Sequence, residues 1–264
     1  MENIIIGMLA ETPVHIGAGE SSGFVDLPVA RESITSYPVI PSTGLKGSFK
    51  ESYAGDDKER IFGKQDDAGK AVFSEGRLLL LPVRSLDGQY KWITCPYIIE
   101  RLKRDLKRTN KKVENIDSIN INEPERNHVY TKGTEKIFLE EREFEIKQSV
   151  DNEIINLFKR FIPNEDTAER LENQIAILNN DDFKWFAQYG LSVNARNVLK
   201  ENKTSKNLWY EELIPTDTVF YTILFQRGEN VIESIKKMIE EKPYIQLGGN
   251  ETVGQGWFNI KMCF

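Results

Sequence analysis

The chain has 264 residues, of which 39% are hydrophobic and 29% are charged. This composition is typical of a globular protein, and no apolar run approaches the ~20 residues that a membrane-spanning helix needs. The length allows one elaborated domain or two. Two cysteines are too few for a disulfide framework or a zinc cluster, and the start lacks a basic signal-peptide region, so we expect a cytoplasmic protein.

The net charge of −6 argues against a nucleic-acid-binding protein judged by its average charge, since such domains are often basic. Any nucleic-acid surface must therefore be local. Charge is indeed segregated along the chain. The basic run consists of Arg101, Lys103, Arg104, Lys107, Arg108, Lys111 and Lys112, and an acidic stretch carries Glu140, Glu141, Glu143 and Glu145. The basic run is compatible both with a solvated helix face and with an RNA contact.

The first predicted elements are a strand, a glycine-rich loop and a helix. Residues 4–9 are apolar on both faces and predict a buried strand. The loop after it has neither a dinucleotide fingerprint nor a Walker pattern, which excludes a nucleotide-binding fold of those types. Ser42 is a candidate N-cap, and Leu45, Phe49 and Tyr53 follow at helical spacing as one apolar stripe.

The start of this helix is a candidate anion site. Lys46 and Lys50 form a row beside the apolar stripe, and free amides at a helix start favour a phosphate. Gly44 and Gly47 weaken the helix by about 1 kcal/mol each, which is consistent with close approach of a ligand to the backbone. The same residues also suit an ordinary capped helix packed on a sheet.

The middle of the chain is harder to interpret. Residues 77–83 predict a core strand that ends at Pro82, and residues 96–106 predict a helix through the basic run. Residues 110–133 are polar and predict a long loop, residues 137–147 an exposed strand, and residues 153–162 and 168–178 a pair of helices.

The C-terminal part again predicts strong elements. Residues 191–209 form two strand-like arms around a polar tip, which predicts a projecting hairpin. A core strand at 219–225, an amphipathic helix at 231–239 and a terminal strand at 258–264 follow. The order β, α, β, insertion, β, α, β predicts an α+β fold with a ferredoxin-like (RRM-like) β-α-β-β-α-β core. This arrangement would bring the glycines of residues 248–256 near the helix that begins at Ser42.

Several motifs together resemble a known family. They are HIGAGESSG at 15–23, FVDLPVARES at 24–33, PSTGLKGS at 41–48, IFG at 61–63 and LGGNETVGQGW at 247–257. They resemble the RAMP superfamily of CRISPR proteins, and their order is similar to that in the repeated backbone subunit of the Cmr-type (type III-B) effector complex. The resemblance covers about the first 95 residues and everything after about residue 192. It implies one elaborated domain, with a core at 1–95 and 210–264, an insertion at 96–190 and a thumb hairpin at 191–209.

The resemblance also implies partners and binding residues. The expected partners are a guide RNA, a target RNA, further copies of the chain in a helical filament and other CRISPR effector subunits, without a membrane. The implied RNA-binding residues are Ser42, Thr43, Lys46, Lys50, Arg31, Gly248, Gly249, Gly254 and Gly256. In the family a thumb wedges between bases of the guide and target duplex, and here its residues would be Asn194, Arg196, Leu208 and Trp209.

Asp26 is the candidate catalytic residue and metal ligand. RNA supplies its own 2′-hydroxyl nucleophile, so a protein needs to hold the backbone in line and supply one polar group or metal ligand. The corresponding aspartate in the family carries target-RNA cleavage with a divalent ion, for which Mg or Mn is expected here. His15 is a candidate general base or an orienting residue, and Glu211 and Glu212 are weaker candidates for further metal ligands.

Three functions remain open from the sequence. The first is an RNA-guided endoribonuclease subunit that cleaves target RNA beside Asp26. The second is a guide-RNA processing endonuclease of the same superfamily, although such enzymes often carry a duplicated ferredoxin-like fold. The third is a non-catalytic RNA-binding scaffold, in which Asp26 is only a loop residue. The presence of Asp26 in the FVDLP motif favours the first function over the third.

Overall fold

The computed structural model describes residues 1–111, 113, 116, 117, 119 and 121–264. Within these residues the fold is α+β, with seven α-helices and one large mixed sheet. The predicted loop at 110–133 and the basic run both include positions outside the described residues, among them Lys112. Within the described part, no helix is long and apolar enough to cross a membrane.

Short elements alternate in the first 108 residues. They are β1 (Asn3–Ala10), β2 (Val39–Ile40), α1 (Ser42–Ser52), α2 (Lys58–Phe62), β3 (Gly63–Lys64), β4 (Asp67–Ala68), β5 (Ala71–Phe73), β6 (Gly76–Arg84), β7 (Tyr90–Thr94) and α3 (Pro96–Arg108). The predicted strand at 77–83 is confirmed, but Pro82 lies inside β6 opposite Trp92 and does not end it.

The remaining elements follow from residue 128 onwards. They are β8 (His128–Thr131), β9 (Lys136–Leu139), β10 (Arg142–Gln148), α4 (Asn152–Lys159), α5 (Glu165–Gln174), β11 (Ile175–Leu178), α6 (Asn180–Tyr189), β12 (Ser192–Leu199), β13 (Ser205–Leu213), β14 (Val219–Gln226), α7 (Val231–Glu241), β15 (Tyr244–Gln246) and β16 (Trp257–Met262). A 3-10 turn at Glu251–Val253 precedes the last strand.

The large sheet has the strand order β15-β16-β1-β14-β6-β7-β11-β8-β10-β9, with β2 beside β6 and β5 beside β14. Its described pairs are antiparallel except for β7 with β11 and β8 with β10. The pairs β3–β4 and β12–β13 form separate two-stranded sheets. The predicted hairpin at 191–209 is thus observed as β12–β13, with its second arm continuing to Leu213.

One face of the central strands is covered by α1 and α7. Leu45 and Phe49 on α1 are fully buried, and the Phe49 ring lies 4.9 Å from that of Phe73 in β5. Tyr53, directly after α1, interacts with Ser234 on α7, so the two helices are neighbours. The predicted apolar stripe of α1 is therefore confirmed as the surface that packs on the sheet.

The opposite face is covered by α3 and by the segment after α4. Gly7 in β1 faces Phe161, and a Cβ at Gly7 would lie 2.4 Å from the Phe161 carbonyl oxygen. The Phe161 ring also packs at 5.7 Å against Tyr221 of β14. Only glycine lets the Phe161 backbone come this close, so both faces of the central strands are buried.

Three predictions for the middle of the chain are wrong. Residues 128–131, predicted as part of a loop, form the strand β8. Residues 175–178 are not helical but form β11, because four consecutive apolar residues suit an inner strand buried on both faces. Residues 137–147 are not one exposed strand but the hairpin β9–β10, which turns at Glu140 with φ of +50°. The predicted helical and irregular insertion therefore contains four strands, β8 to β11, that widen the sheet.

Asp105 on α3 connects the helix to the sheet. Its carboxylate accepts hydrogen bonds from Arg77 of β6 and from the Tyr221 hydroxyl at 2.8 Å, and Arg108 lies at 3.2 Å. Burial, with the Asp105 charge as the next cause, raises the pKa of Tyr221, so the phenol stays protonated and donates. Asp105 is only 4% exposed, and its charge is compensated within the interface.

We expect Asp105→Ala to lower the free energy of unfolding by about 3 kcal/mol, because it leaves Arg77 facing a buried interface without its counter-charge. Glu100→Ala is the matched control on the same helix. Glu100 forms an exposed pair with Arg104 at 3.5 Å, and its loss should change stability by less than ~0.5 kcal/mol. Urea unfolding measures both variants, and equal effects would contradict the assignment of Asp105 as an anchor.

Candidate functional site

The loop that contains Asp26 runs along the free edge of β13 as a third strand. The Leu27 amide donates to the Tyr210 carbonyl at 3.1 Å, and the Glu212 amide donates to the Leu27 carbonyl at 3.0 Å. Leu27 thereby pairs in parallel with Glu211. Since β12 occupies the other edge of β13, the loop is fixed to the root of the hairpin, the end at which Ser192 pairs with Leu213.

Asp26 presents an exposed carboxylate at this edge. Its Oδ2 accepts the Tyr210 amide at 2.8 Å, and its own carbonyl accepts the Ser21 amide at 2.8 Å. Within the described residues Oδ1 makes no hydrogen bond. One oxygen of the carboxylate is thus anchored by a backbone amide, and the other is available to a ligand.

His15 reaches the same edge of β13 but is only 8% exposed. Its Nδ1 lies 2.9 Å from the Glu212 carbonyl oxygen. A carbonyl oxygen only accepts, so Nδ1 carries a proton. Asp26 forms a hydrogen bond with Tyr210, and His15 forms one with Glu212. Tyr210 and Glu212 are two residues, or about 7 Å, apart along β13. The fold therefore brings the two predicted catalytic residues to one edge, with His15 buried and Asp26 exposed. The catalytic role of each stays a prediction.

Glu211 is a buried structural carboxylate, 3% exposed. Its carboxylate accepts a hydrogen bond from the side-chain amide of Asn250 at 2.5 Å, and Arg196 Nε lies 3.3 Å from its other oxygen. The Asn250 oxygen in turn accepts from Arg196 at 3.0 Å. This cluster attaches the loop before β16 to the hairpin.

Glu212 is equally occupied, on the opposite face of β13. Its carboxylate accepts the Val29 amide at 3.0 Å and the Arg31 guanidinium at 2.6 Å. Arg31 also donates to the carbonyl oxygens of Ser36 at 2.8 Å and Ala187 at 2.6 Å. Arg31, predicted to bind RNA, thus has both terminal nitrogens engaged within the protein.

Asp26 therefore decides whether these residues could hold a divalent ion. The described residues contain no cluster of three His, Cys, Asp or Glu side chains that could hold a metal. Mg²⁺ in phosphate chemistry is often bound by one or two carboxylates, with waters and substrate phosphates completing its shell. An exposed carboxylate with one available oxygen fits that mode, whereas the buried Glu211 and Glu212 do not.

The helix α1 begins differently from the prediction. Pro41 occupies the N-cap position, Ser42 is the first helical residue, and no side chain caps the helix. Within the described residues the amides of Ser42, Thr43 and Gly44 donate to no protein group. A Cβ at Gly44 would meet nothing within 4 Å, so protein packing does not require this glycine. The helix start is open to a ligand.

A basic depression of about 250 Å³ adjoins this helix start. Its lining includes Ser42, Thr43, Lys46 and Arg227, the last of which follows β14 and was not predicted from the sequence. Partial burial, followed by the charges of Lys50 and Arg227, lowers the pKa of Lys46. Lys50 is engaged with the Gly63 carbonyl at 2.7 Å. The only sequence signal for Arg227 was its position directly after a core strand.

The glycine-rich loop before β16 packs mainly against the His15 loop. The Gly249 amide donates to the His15 carbonyl at 2.8 Å, and the Gly256 amide donates to that of Pro13 at 3.0 Å. Gly248 has φ of +88°, and a Cβ there would lie 2.2 Å from the His15 carbonyl oxygen. Gly254 alone of the four predicted glycines has open space around its Cα. The preceding strand β15 contacts α1.

The predicted thumb residues divide by position along the hairpin. Arg196 is paired at the root, as described above. Leu208 is 53% exposed on the outer part of β13, Trp209 is half-buried, and Asn194 lies exposed opposite Glu211. Only Leu208 and Asn194 are thus fully available to a partner.

Comparisons with known proteins confirm the family that the motifs predict. The model of the RAMP superfamily matches residues 8–259, including the middle segment that sequence motifs did not cover. The CRISPR system Cmr endoribonuclease Cmr4 of Pyrococcus furiosus is 30% identical, over 99% of this chain and 96% of that protein. The CMR subunit Cmr4 of Saccharolobus solfataricus is 24% identical, over 96% and 94%.

Two solved structures are similar to this chain over its whole length. The crystal structure of oligomeric Cmr4 from Pyrococcus furiosus has a TM-score of 0.77 at 28% identity and covers 100% of this chain and 98% of its own. A chain in the cryo-EM structure of Type III-B Cmr-beta bound to cognate target RNA has a TM-score of 0.82 at 20% identity, with 100% and 98% coverage, a likeness of fold. Since the family model spans nearly the whole chain and a relative at 30% identity aligns along its length, this chain belongs to the RAMP superfamily.

Proposed function

We propose that this chain is the repeated backbone subunit of a cytoplasmic Cmr-type (type III-B) CRISPR effector. In it the chain binds guide RNA along its length and cleaves complementary target RNA with a divalent metal ion. The name of the Pyrococcus furiosus relative as an endoribonuclease supports this activity. The observation that carries the proposal is Asp26, an exposed carboxylate anchored through one oxygen to the root of a projecting hairpin.

The core of this subunit is ferredoxin-like. The elements β1, α1, β6, β14, α7 and β16 follow the β-α-β-β-α-β order, and the four strands are neighbours in the order β16-β1-β14-β6. The pairings β6–β7 and β7–β11 continue the sheet into the inserted strands. This continuity supports one elaborated domain over residues 1–264, with the insertion at about 96–190 and the thumb at about 191–209.

RNA binds at the ends and edges of this sheet. In RRM modules bases stack on an open sheet face. Here that face is covered, since Phe161 and Tyr221 are fully buried between the sheet and the insertion. The exposed features that contribute to this surface are the start of α1, the open Gly254 turn, Asp26 and the hairpin. The RNA-binding surface is therefore assembled from loops and a helix end.

The guide-RNA backbone binds at the start of α1. The unpaired amides of Ser42, Thr43 and Gly44 are donors for phosphate oxygens, and the helix dipole favours an anion there. Lys46 and Arg227 add positive charge, and among the described residues no carboxylate pairs with either of them. A bound phosphate would relieve the repulsion between these two cations. The two cations form a local basic site on a chain whose net charge is acidic.

Target cleavage uses the 2′-hydroxyl of the RNA as nucleophile. Asp26 Oδ2 is held by the Tyr210 amide, so the carboxylate keeps a fixed orientation as RNA binds. Its available oxygen is the group that would hold a divalent ion, which, when bound, neutralises charge that develops on the scissile phosphate. The buried pairs of Glu211 and Glu212 hold the strand that carries this amide, and His15 ties the adjoining loop to the same strand.

The hairpin β12–β13 acts as a thumb against the guide and target duplex beside a neighbouring copy. Val193, Leu208 and Tyr210 lie on one face of the ribbon and are 43–53% exposed. A two-stranded ribbon cannot bury its own apolar face, so this face suits base edges or stacks. The oligomeric state in the name of one related crystal structure supports assembly with further copies.

We expect Asp26→Asn to lower the rate of metal-dependent target cleavage by about 10²–10⁴-fold in the assembled complex, because the change removes the charge and preserves the shape. Affinities for guide and target should stay unchanged. Glu20→Gln, at an exposed carboxylate in the same loop, is the matched control and should cleave normally. A single 2′-deoxy substitution at the scissile position should abolish cleavage by the wild type. Cleavage by Asp26→Asn at the wild-type rate would place catalysis elsewhere.

Lys46→Ala combined with Arg227→Ala should weaken guide-RNA binding and reduce the slope of log K against log salt by about 1 to 2, since two phosphate contacts are lost. Filter binding at several salt concentrations measures the slope. Lys236→Ala on the exposed side of α7 is the control. Lys50→Ala is less informative, because it also removes the bond to Gly63. An unchanged slope would exclude this helix start from the guide site.

Replacing residues 200–204 with Asn-Gly shortens the thumb without loss of its strands, because the paired Leu199 and Ser205 can be joined by a two-residue turn. We expect the thermal unfolding midpoint to stay constant and the regular spacing of cleavage products to be disturbed. Thermal melts and product mapping on gels check the two expectations. A variant that unfolds would show that the tip belongs to the core.

A further inference from the structure

Phe24 has no structural role within the described protein. Its side chain is fully exposed, at 103% of the reference area, and it takes part in no ring contact within the described residues. A phenyl ring in water gains free energy when a partner covers it. The position is therefore suited to contact with another molecule.

The loop that presents Phe24 is held by hydrogen bonds. The Gly23 amide donates to Ser21 Oγ at 3.1 Å, and the Ser21 amide donates to the Asp26 carbonyl at 2.8 Å. Lower in the loop, the Ala18 amide donates to the Pro28 carbonyl at 3.0 Å. Phe24 thus projects from a closed loop whose two arms are joined on either side of it.

Phe24 is also close to the proposed reaction site. It precedes Asp26 by two residues, which places the two Cα atoms within about 7 Å. A second partly exposed ring, that of Tyr210, belongs to the residue whose amide binds the Asp26 carboxylate. Asp26 is thereby accompanied by one aromatic ring from its own loop and one from the hairpin.

We propose that Phe24 is a positioning residue that stacks on an unpaired target base next to the scissile phosphate. This inference rests on the proposed function. Attack by a 2′-hydroxyl needs an in-line backbone, which a stacked A-form strand does not provide, so one base must leave the stack. An exposed aromatic ring is the group on which proteins hold such a base, and stacking is tolerant of base identity. Phe24 therefore keeps the nucleotide displaced while Asp26 acts.

The first test measures single-turnover cleavage in the assembled complex with saturating target. Phe24→Ala should cleave about tenfold more slowly, with unchanged complex assembly, whereas Phe24→Tyr and Phe24→Trp should retain the rate. Leu86→Ala, at an apolar residue that is 79% exposed in the turn between β6 and β7, is the control and should be unaffected. An abasic target nucleotide should slow the wild type to the rate of Phe24→Ala and should slow Phe24→Ala no further.

The second test measures stacking without cleavage. In the Asp26→Asn background, the fluorescence of a target with 2-aminopurine beside the scissile phosphate should decrease on binding. Adding Phe24→Ala should raise the fluorescence of the bound target by about twofold or more. Quenching that does not depend on Phe24, or a normal cleavage rate of Phe24→Ala, would overturn the proposal. So would impaired assembly by Phe24→Ala, since Phe24 would then contact a neighbouring protein. A wild-type complex that binds but does not cleave would contradict the proposed function alone, because the fluorescence test still reports stacking.

Discussion

The candidate site depends on the burial of two adjacent carboxylates in β13. Glu211 and Glu212 are 3% and 7% exposed, and their side chains point to opposite faces of the strand. Such charges are stable only when partners replace water, and each has a guanidinium: Arg196 for Glu211 and Arg31 for Glu212. These pairs fix the hairpin root, and the same stretch of strand binds the Asp26 loop and His15. Removal of either carboxylate would therefore loosen the hairpin and the proposed catalytic loop together.

The second constraint is that both faces of the central strands are covered. The helices α1 and α7 occupy one face, and α3 with Phe161 occupies the other, where Gly7 permits backbone contact. The proposed RNA contacts are therefore confined to the periphery, where backbone amides, glycines and short loops are exposed. This placement suits a subunit that follows an RNA backbone and leaves sequence recognition to base pairing. It also accounts for a net charge of −6, since only a small basic depression is needed in each copy.

The site residues show where interpretation of the sequence succeeds and fails. Asp26 and the start of α1 were predicted as site residues from local motifs, a loop carboxylate near a proline and a glycine-bearing helix start, and their roles stay predictions. Arg31 and Lys50 were also predicted to bind RNA, yet both form hydrogen bonds within the protein that the motifs do not reveal. Ser42 fits the N-cap pattern, but the preceding Pro41 takes that position. Arg227 was missed because only the tertiary fold brings the end of β14 beside α1.

The sequence by itself determined the family, the α+β class, the positions of the central strands and the apolar face of α1, because each depends on periodicity or on a contiguous motif. Tertiary structure decided the rest. Residues 175–178 became a strand because β7 and β8 bury them on both sides, which no local pattern distinguishes from a buried helix. The burial of His15, the pairing of Glu212 and the anchoring of Asp26 follow from contacts across about 200 residues. A motif specifies which groups are present, but only long-range packing decides which of them remain free to bind RNA.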